Sequence, residues 1–553
     1  MKRDLTQLAG RPFDLLILGG GIYGAAAAWE AASRGLSVAL IDRGDFGCAT
    51  SSNSLKIIHG GLRYLQHADF IRMRESIVER RTVMRIAPHL IRVFPCLMPT
   101  YGHQIKGPEV MAIAMLMNDI VSCDRNHGLE NGQRLPMGHV VSKQRVKELI
   151  PYVDEKNMTG GAMWYDAQVY NSERLLFSYL HSAAGRGAQF ANYLQAIGLL
   201  VEKNRVQGAR VLDRMSGESF DLRARVVVNN LGAWTDELLA SLPMRPSKPV
   251  LLLSTAMNMI IRRPLTSVGA GISAKVEFRD PDAIIRKGSR LLFIAPWRNV
   301  SMIGTWHDPY EGRPDAFQPG EEQVANMLRQ VNDALPGADI AREEVLLVHR
   351  GFLPMAGVHP VSGDVRLLKH YRIVDHRADL NLDGMLSVVS VKYTTARDVA
   401  VKTVNAVFNK LQKTPAPSIS AHTAIDGGEM EHLADYTQSA LRSKPTGLTD
   451  ATVRHLIQTY GTRYSRVLKS APAETWTPLP GSAVIKAEIL HGVREEMAQK
   501  LSDVVLRRTE LGSAGHPGTA ALTECAQVMA DELGWDAERR RKELAEVEAV
   551  YPQ

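Results

Sequence analysis

The sequence has few cysteines, and they follow no pattern typical of a metal site or a disulfide framework. Its 553 residues contain 4 cysteines, at positions 48, 96, 123 and 525, without a C-x-x-C pair or a zinc-like spacing. Disulfides are rare in reducing compartments. We therefore expect a cytoplasmic protein with no disulfide framework and no metal site.

Long apolar runs are also missing. A membrane-spanning helix needs about eighteen or more apolar residues in a row, and glycines interrupt the nearest candidate, residues 15–28. The first residues, MKRDLTQLAGRPF, lack the apolar core of a signal peptide. We expect neither a spanning helix nor a secretion signal.

Negative charge is the scarcer sign, which leaves a formal net charge of +7. A basic surface could contact anionic lipid, attract a phosphorylated substrate or bind nucleic acid. The arginines are scattered and no nucleic-acid-binding motif accompanies them, so we expect no nucleic-acid partner. A surplus dispersed over an ordinary soluble surface stays open, and the 45% apolar content is ordinary for a soluble protein.

A dinucleotide-binding pattern stands near the N-terminus. Its order is strand, glycine turn, helix, strand and acid, given by residues 14–18, Gly19-x-Gly21-x-x-Gly24, residues 25–34, residues 36–41 and Asp42. The glycines let the backbone approach a pyrophosphate, which the free N–H groups of the first helical turn bind. The acid is placed to accept hydrogen bonds from a ribose. The pattern predicts a bound dinucleotide without separating FAD from NAD.

A second block follows at once. It runs from Ala49-Thr50-Ser51-Ser52 through Lys56 to Ile58-His59-Gly60-Gly61-Leu62-Arg63-Tyr64-Leu65. This block resembles the FAD-dependent glycerol-3-phosphate dehydrogenase family, as do segments 227–234, 387–397 and 507–512. The resemblance implies FAD as the cofactor. It also implies an α/β Rossmann-like FAD-binding domain, an antiparallel β-sheet substrate domain and a C-terminal α-helical domain.

At this length two or three domains are expected. We assign residues 1–90, 160–240 and 355–412 to a discontinuous FAD-binding domain. Residues 91–159 and 241–354 form the expected substrate domain, and residues 413–553 the helical domain. The segment from Lys413 to Ser420 is the expected linker, because its prolines interrupt both helices and strand ladders.

Four residues are candidates for catalysis. Oxidation of a phosphorylated alcohol needs a group that removes the hydroxyl proton and a cation that binds the dianion. The resemblance places Arg63 against the substrate and Lys392 near flavin and substrate. His59 could orient the flavin or carry a proton, and Arg350 is the fourth candidate. A purely structural role for Arg63 or His59 stays open.

The cofactor contacts implied by the motifs and the resemblance come from the glycine turn, the second block and two later segments. They are Gly19, Gly21, Gly24, Asp42, Thr50, Ser51, Ser52, Lys56, His59, Gly60, Gly61, Gly232, Lys392, Thr394 and Thr395.

The sequence departs from the family at the substrate side. Family members usually carry Gly-Val-Arg-Pro-Leu, whereas this chain reads Gly-Phe-Leu-Pro-Met, with Leu353 at the arginine position. Strand alternation places Arg350 on the opposite face from Leu353. A family Lys-Gly-Ser-His segment supplies a histidine, but residues 253–258 contain none. His307 could supply a base from a new position.

The resulting hypothesis is an FAD-dependent oxidoreductase that oxidises sn-glycerol 3-phosphate, or a related secondary alcohol, to the ketone. A quinone or another acceptor, including oxygen, would receive the electrons. A family paralogue with a different hydroxy or amino substrate is the alternative, and a flavin-bearing assembly protein is a third reading. Peripheral contact with the inner face of the cytoplasmic membrane and a homodimer stay open.

Overall fold

A computed structural model describes residues 1–103, 107–242, 248–279, 287–318, 320–360 and 364–552. The strands are β1 Phe13–Leu18, β2 Val38–Ile41, β3 Ile57–Ile58, β4 Ile91–Tyr101, β5 His139–Val141, β6 Met158–Val169, β7 Gln189–Ala191, β8 Leu194–Glu202, β9 Arg205–Asp213, β10 Ser219–Asn229, β11 Leu252–Ile261, β12 Gly269–Arg279, β13 Lys287–Trp297, β14 Val300–Tyr310, β15 Val345–Val358, β16 Val365–Leu367, β17 Arg372–Asp375 and β18 Met385–Val389.

The α-helices are α1 Leu5–Ala9, α2 Ile22–Ser33, α3 Phe70–Ile86, α4 Pro108–Val121, α5 Lys143–Leu149, α6 Ser172–Ala184, α7 Thr235–Leu239, α8 Glu321–Ala334, α9 His376–Leu380, α10 Ala396–Leu411, α11 Leu433–Arg442, α12 Asp450–Tyr460, α13 Tyr464–Lys469, α14 Lys486–Glu496, α15 Leu501–Asp503, α16 Thr519–Leu533 and α17 Ala537–Glu548. Short 3₁₀ turns at Leu62–His67 and Tyr393–Thr395, and a π-turn at Val504–Arg508, bear on the site.

A parallel sheet forms the centre of the flavin-binding part. Strands β18, β10, β1, β2 and β7 run parallel in that order, and β17 adds an antiparallel edge. Helices α2 and α10 pack together on this sheet. Strands that are covered on both faces are continuously apolar. Residues 15–18 and 38–41 fit this pattern, because they are all apolar and all buried. The predicted Rossmann-like architecture is confirmed.

A mixed, largely antiparallel sheet forms the substrate side. Its order is β16-β15-β11-β14-β13-β12-β4-β6-β3, and β5 also pairs with β6. One apolar face packs with α8, as at Met259 and Met327. Part of the other face packs against the C-terminal helices, as at Ile260 and Met529. The expected antiparallel sheet and helical C-terminal part are confirmed.

Two of the expected domain boundaries fall inside paired strands of the substrate-side sheet. Strand β6 pairs with β4 along its length, so it runs across the boundary expected at 159/160. Within β6, Gly161 is a site of close packing, because a Cβ there would lie 2.8 Å from Leu97 and Val146. Strand β16 pairs with β15 of the same sheet, beyond the boundary expected at 354/355. The three-domain division itself stays a prediction.

The C-terminal helices pack around their own apolar cluster, which includes Leu456, Val467 and Leu490. The side chain of Thr449 accepts a hydrogen bond from Thr452 N and caps α12, as its position before the helix predicts. Residues 413–420 form neither helix nor strand.

Candidate active site

The glycine turn between β1 and α2 is packed against backbone on both sides. Gly19 adopts a φ of +106°, and a Cβ there would collide with the carbonyl of Asn230. A Cβ on Gly24 would collide with the carbonyl of Gly19. Only glycine fits at these two positions, so the turn brings bare backbone to the first turn of α2. Such a helix N-terminus binds phosphate.

Two predicted contact residues flank this turn. Ser51 Oγ accepts a hydrogen bond from Ile22 N at 3.0 Å, and a Cβ on Gly21 would lie 3.1 Å from it. Asp42 accepts from Gly20 N at 2.7 Å and from Gly44 N at 2.8 Å. Burial raises the pKa of Asp42 to about 6, although these backbone bonds oppose the shift. The structure thus brings the turn, Ser51 and the ribose-binding candidate together.

The loop after Asp42 is anchored by two arginines that our sequence analysis did not connect with it. Arg508 Nη1 and Nη2 each donate to a carboxylate oxygen of Asp45 at 2.7 Å, and Arg507 Nε donates at 2.5 Å. Burial alone would raise the pKa of Asp45, but the two guanidiniums outweigh it and hold this pKa well below its ordinary value. No local signal marks this contact, because its partners lie far apart in the sequence.

A second group of predicted residues meets where the 3₁₀ turn 62–67 approaches the turn 393–395. His59 N donates to Thr394 Oγ1 at 3.3 Å. Lys392 Nζ lies 4.8 Å from the ring centre of Tyr64 and donates to Ser76 Oγ at 3.1 Å. Sequence spacing alone would not bring these residues together.

The two titratable groups of this cluster have lowered pKa values. Burial, with the positive charge of Arg72 next, lowers the pKa of Lys392 to about 8. Burial lowers the pKa of His59 to about 4, while Asp166 opposes the shift and Lys392 adds to it. At neutral pH, Lys392 is therefore mostly charged and His59 is neutral.

The turn at Gly60 is held by residues that the motif analysis missed. Asp166 on β6 accepts from Gly60 N at 2.6 Å and from Trp164 Nε1 at 2.9 Å, and it pairs with Arg80. A Cβ on Gly60 would collide with that guanidinium. The signal in the sequence was a single charged residue within a strand, which is weak.

Three other predicted residues take different positions. Lys56 is buried, and its ammonium bonds to Glu173 at 3.0 Å and to Ser172 Oγ at 2.8 Å, rather than facing the glycine turn. Ser52 Oγ donates to the carbonyl of residue 49. Arg63 is exposed on its 3₁₀ turn, and no hydrogen bond or ion pair to its side chain occurs among the described residues.

The substrate-side sheet presents one face to the flavin-binding part. Asn258 pairs with His349, and Ala256 pairs with both Gly351 and His307. Paired residues of neighbouring strands point to the same face. A Cβ on Gly351 would lie 3.1 Å from Thr50 Oγ1, so this face of the sheet points toward Thr50.

Arg350 and Leu353 lie on opposite faces of β15. Leu353, two residues from Gly351, shares the face that looks toward Thr50. Arg350 points the other way, where Nη1 donates to the carbonyl of Phe317 at 3.2 Å and bonds to Gln318. The structure therefore does not bring Arg350 to the other site candidates.

Comparison with known proteins agrees with this arrangement. Residues 14–376 match the family described as FAD dependent oxidoreductase, and residues 418–540 match the C-terminal domain of alpha-glycerophosphate oxidase. A glycerol-3-phosphate dehydrogenase of Mycobacterium leprae is 30% identical over 96% of this chain and 87% of its own length. The chain belongs to the FAD-dependent glycerol-3-phosphate dehydrogenase family. A Synechocystis glycerol-3-phosphate dehydrogenase is 29% identical over 98% of this chain and 97% of its own.

The fold of the family is shared along the whole chain. The crystal structure of the Bacillus halodurans glycerol-3-phosphate dehydrogenase complexed with FAD superposes with a TM-score of 0.74 at 21% identity, covering 98% of this chain and 95% of that one. In keeping with the family, the cofactor is FAD, and the glycine turn, Ser51 and Asp42 fit its pyrophosphate and ribose. No helix among the described residues is long and apolar enough to cross a membrane.

The substrate-side positions that depart from the family pattern lie on paired strands of one sheet. Asn258 is the last residue of the segment in which the family carries a histidine, and its Nδ2 donates to the carbonyl of Asn53 at 3.0 Å. His349, opposite it, is buried, which lowers its pKa to about 3. His307 lies on the same face, one residue pair further along. The row of Asn258, His349 and His307 can be recognised only from the pairing between strands, which a single sequence does not reveal.

Proposed function

We propose that this enzyme oxidises sn-glycerol 3-phosphate to dihydroxyacetone phosphate. The observation that carries the proposal is the cluster of His59, Lys392 and Thr394 beside the turn at Gly60, within a family whose relatives are named for this substrate. Lys392 and the exposed Arg63 provide positive charge for a phosphate. FAD supplies the hydride acceptor when it is bound.

We propose that His307 is the general base that removes the proton of the substrate hydroxyl. Its position on β14, paired with Ala256, puts it on the sheet face that looks toward Thr50. A general base must reach the proton that it removes. His349 shares the face, but its burial keeps it neutral and enclosed.

Leu353 favours a second candidate. An apolar side chain stands on the site-facing side of β15 where the family carries an arginine that grips substrate, and Arg350 faces away. A substrate without a phosphate, such as another hydroxy or amino compound, would fit such a pocket better than a dianion.

Anaerobic titration of the yellow protein with sn-glycerol 3-phosphate separates the two candidates. Rapid loss of flavin absorbance supports the first. No loss with this substrate, followed by full loss with dithionite, rejects glycerol 3-phosphate and favours the second. His307→Gln should slow flavin reduction without changing flavin content, and the exposed His422 provides the control variant His422→Gln. Equal rates for the two variants would reject His307 as the base.

We further propose a membrane quinone as the electron acceptor, with contact through α4. This helix turns its large apolar side chains outward, and Ile113, Leu116 and Ile120 are 60%, 56% and 64% exposed. Of its two acids, Glu109 is exposed in the first turn, whereas Asp119 points inward, accepts from Gly138 N at 3.0 Å and pairs with Arg125 at 3.1 Å. An outward apolar face of this kind suits an interfacial helix.

The apolar face continues toward the candidate site. Phe70 and Ile71, at the start of α3, are also exposed, and α4 packs against the 3₁₀ turn that carries Arg63. A quinone dissolved in lipid would thus arrive near the flavin-binding part. We propose the inner face of the cytoplasmic membrane as the site of this contact. A homodimer stays a prediction, which the molar mass from light scattering would test.

Vesicle flotation tests the membrane contact. We expect the protein to float with vesicles of phosphatidylethanolamine and phosphatidylglycerol. A variant with Ile113→Asp and Ile120→Asp should remain at the bottom with unchanged flavin content. Ile197→Asp, at an exposed apolar position on β8, is the matched control. Flotation of both variants alike would remove α4 from the proposal.

A further inference from the structure

A cleft of about 740 Å³ lies between the end of α6 and the C-terminal helices. Its lining includes Trp29, Tyr460 and Arg463, and none of the predicted site residues. Three potential metal ligands meet at its wall: His181 from α6, with His491 and Glu496 from α14. His181 lies far from the other two in the sequence, so no metal-binding spacing indicated the group.

The ligand atoms converge on one point. His181 Nε2 lies 3.1 Å from Glu496 Oε1, and His491 Nε2 lies 3.7 Å from it. All three atoms lie within 4.8 Å of one another. A zinc ion holds nitrogen and oxygen ligands at about 2.0–2.2 Å in a tetrahedral arrangement, which separates neighbouring ligand atoms by about 3.4 Å. The two nitrogen–oxygen distances bracket that separation.

We propose that His181, His491 and Glu496 bind a divalent transition metal, with Zn²⁺ the best match. Two histidines and one carboxylate leave the fourth position of a tetrahedral ion open, and the adjoining cleft offers room for a water or an anionic ligand there. The site bridges α6 of the flavin-binding part and α14 of the helical part.

The donor types also suit a transition metal. Imidazole nitrogens from His181 and His491 and a carboxylate oxygen from Glu496 are ligands that zinc accepts.

Arg174 is the group that limits the affinity. Its Nη1 and Nη2 donate to Glu496 Oε2 and Oε1 at 2.7 and 2.8 Å. Such an outer contact fixes the direction of a ligating carboxylate, but its positive charge also repels a cation. We therefore expect weaker binding than at a structural zinc site made of thiolates. Arg508 Nε, 3.9 Å from Glu496 Oε2, adds to this repulsion, whereas Nδ1 of His491 has no hydrogen-bond partner among the described residues.

The test uses the full-length yellow protein after dialysis against a chelator. Calorimetric titration with Zn²⁺ should give one equivalent bound. Co²⁺ should produce the long-wavelength absorption of tetrahedral cobalt, to the red of the flavin bands. His181→Gln and His491→Gln should each weaken binding roughly a hundredfold or more, since even outer-contact residues cost about 10–100-fold. His516→Gln, an exposed histidine paired with Glu548, should bind like the parent.

Absence of stoichiometric binding by the parent protein would overturn the proposal, and this measurement needs no variant. Equal binding by the parent and both ligand variants would also overturn it, because the metal would then sit elsewhere. Flavin absorbance and circular dichroism identify a variant that fails to fold. Neither readout depends on which substrate the enzyme oxidises.

Discussion

The cofactor edge and the substrate face are built in different ways. At the cofactor edge, backbone meets backbone, and Gly19 and Gly24 leave no room for a Cβ. On the substrate face, side chains from paired strands line a common surface. Asn258, His307 and Leu353 lie there, and the register of β11 against β14 shifts at Asn258. The cofactor edge therefore leaves less freedom for substitution than the substrate face does.

The largest effect should come from breaking the support of the cofactor edge. Arg508→Met leaves Asp45 with only Arg507 and Asn192 as charged or polar side-chain partners in the buried loop. Removing one partner of a buried ion pair costs about 3–5 kcal/mol. We expect this loss in the free energy of unfolding, together with lower flavin content.

Chemical denaturation, monitored through the flavin absorbance, measures this loss in the free energy of unfolding. Arg494→Met, which removes a more exposed pair with Glu532, is the control and should cost at most about 1 kcal/mol. Equal losses for the two variants would contradict a supporting role for Arg508.

The next largest effect should come from filling the glycine turn itself. Gly24→Ala introduces a Cβ that collides with the carbonyl of Gly19, and overpacking costs about 1–3 kcal/mol. We expect a lower melting temperature and weak flavin retention during gel filtration. Gly198→Ala, where a Cβ meets nothing, should retain its flavin. Normal flavin content in Gly24→Ala would show that the turn adapts.

A smaller effect should appear where the two regions meet, at Lys392. Lys392→Met removes a cation from the proposed phosphate site, and a hydrogen bond to a charged group contributes about 1.5–3 kcal/mol. We expect KM for sn-glycerol 3-phosphate to rise roughly tenfold at pH 7.

The same lysine predicts a pH dependence. Its pKa is lowered to about 8 in the free protein, so its charge is present below that pH and is lost above it. KM should therefore rise as pH passes through about 8 in the parent enzyme but stay flat there in Lys392→Met. Parallel pH profiles would assign the change to another group.

The smallest effect should come from the substrate face. Leu353→Arg restores the residue that the family carries, on the side that looks toward Thr50. If glycerol 3-phosphate is the substrate, we expect kcat/KM to rise a few-fold, or about 1 kcal/mol, with unchanged flavin content. Leu252→Arg, an exposed position on neighbouring β11, is the control. A fall in kcat/KM would indicate a pocket adapted to a different substrate.

How far the sequence could predict the site depended on the distance between partners. The glycine turn and Asp42 lie within one strand–helix–strand unit, and the local sequence pattern was sufficient to predict that unit. Strand alternation also predicted that Arg350 and Leu353 face opposite ways, as they do.

The remaining contacts needed the folded chain. Lys56 lies in a well-matched motif, yet its ammonium bonds to Glu173, which the motif could not indicate. Asp166 stabilises the turn at Gly60 from β6, a strand about a hundred residues further along the chain. The row formed by Asn258, His307 and His349 depends on the register of three strands, which a single sequence does not reveal.

The anchoring of Asp45 also bears on how the protein is made. The loop after Asp42 is synthesised early. Arg507 and Arg508, which neutralise Asp45, follow only when about nine-tenths of the chain has been synthesised. Before then, closing this loop would bury a carboxylate without its counter-charges. Firm uptake of FAD is thus expected late, after translation of the helical part, and products truncated before Arg507 should remain colourless. The colour of the protein then reports that its chain is nearly complete.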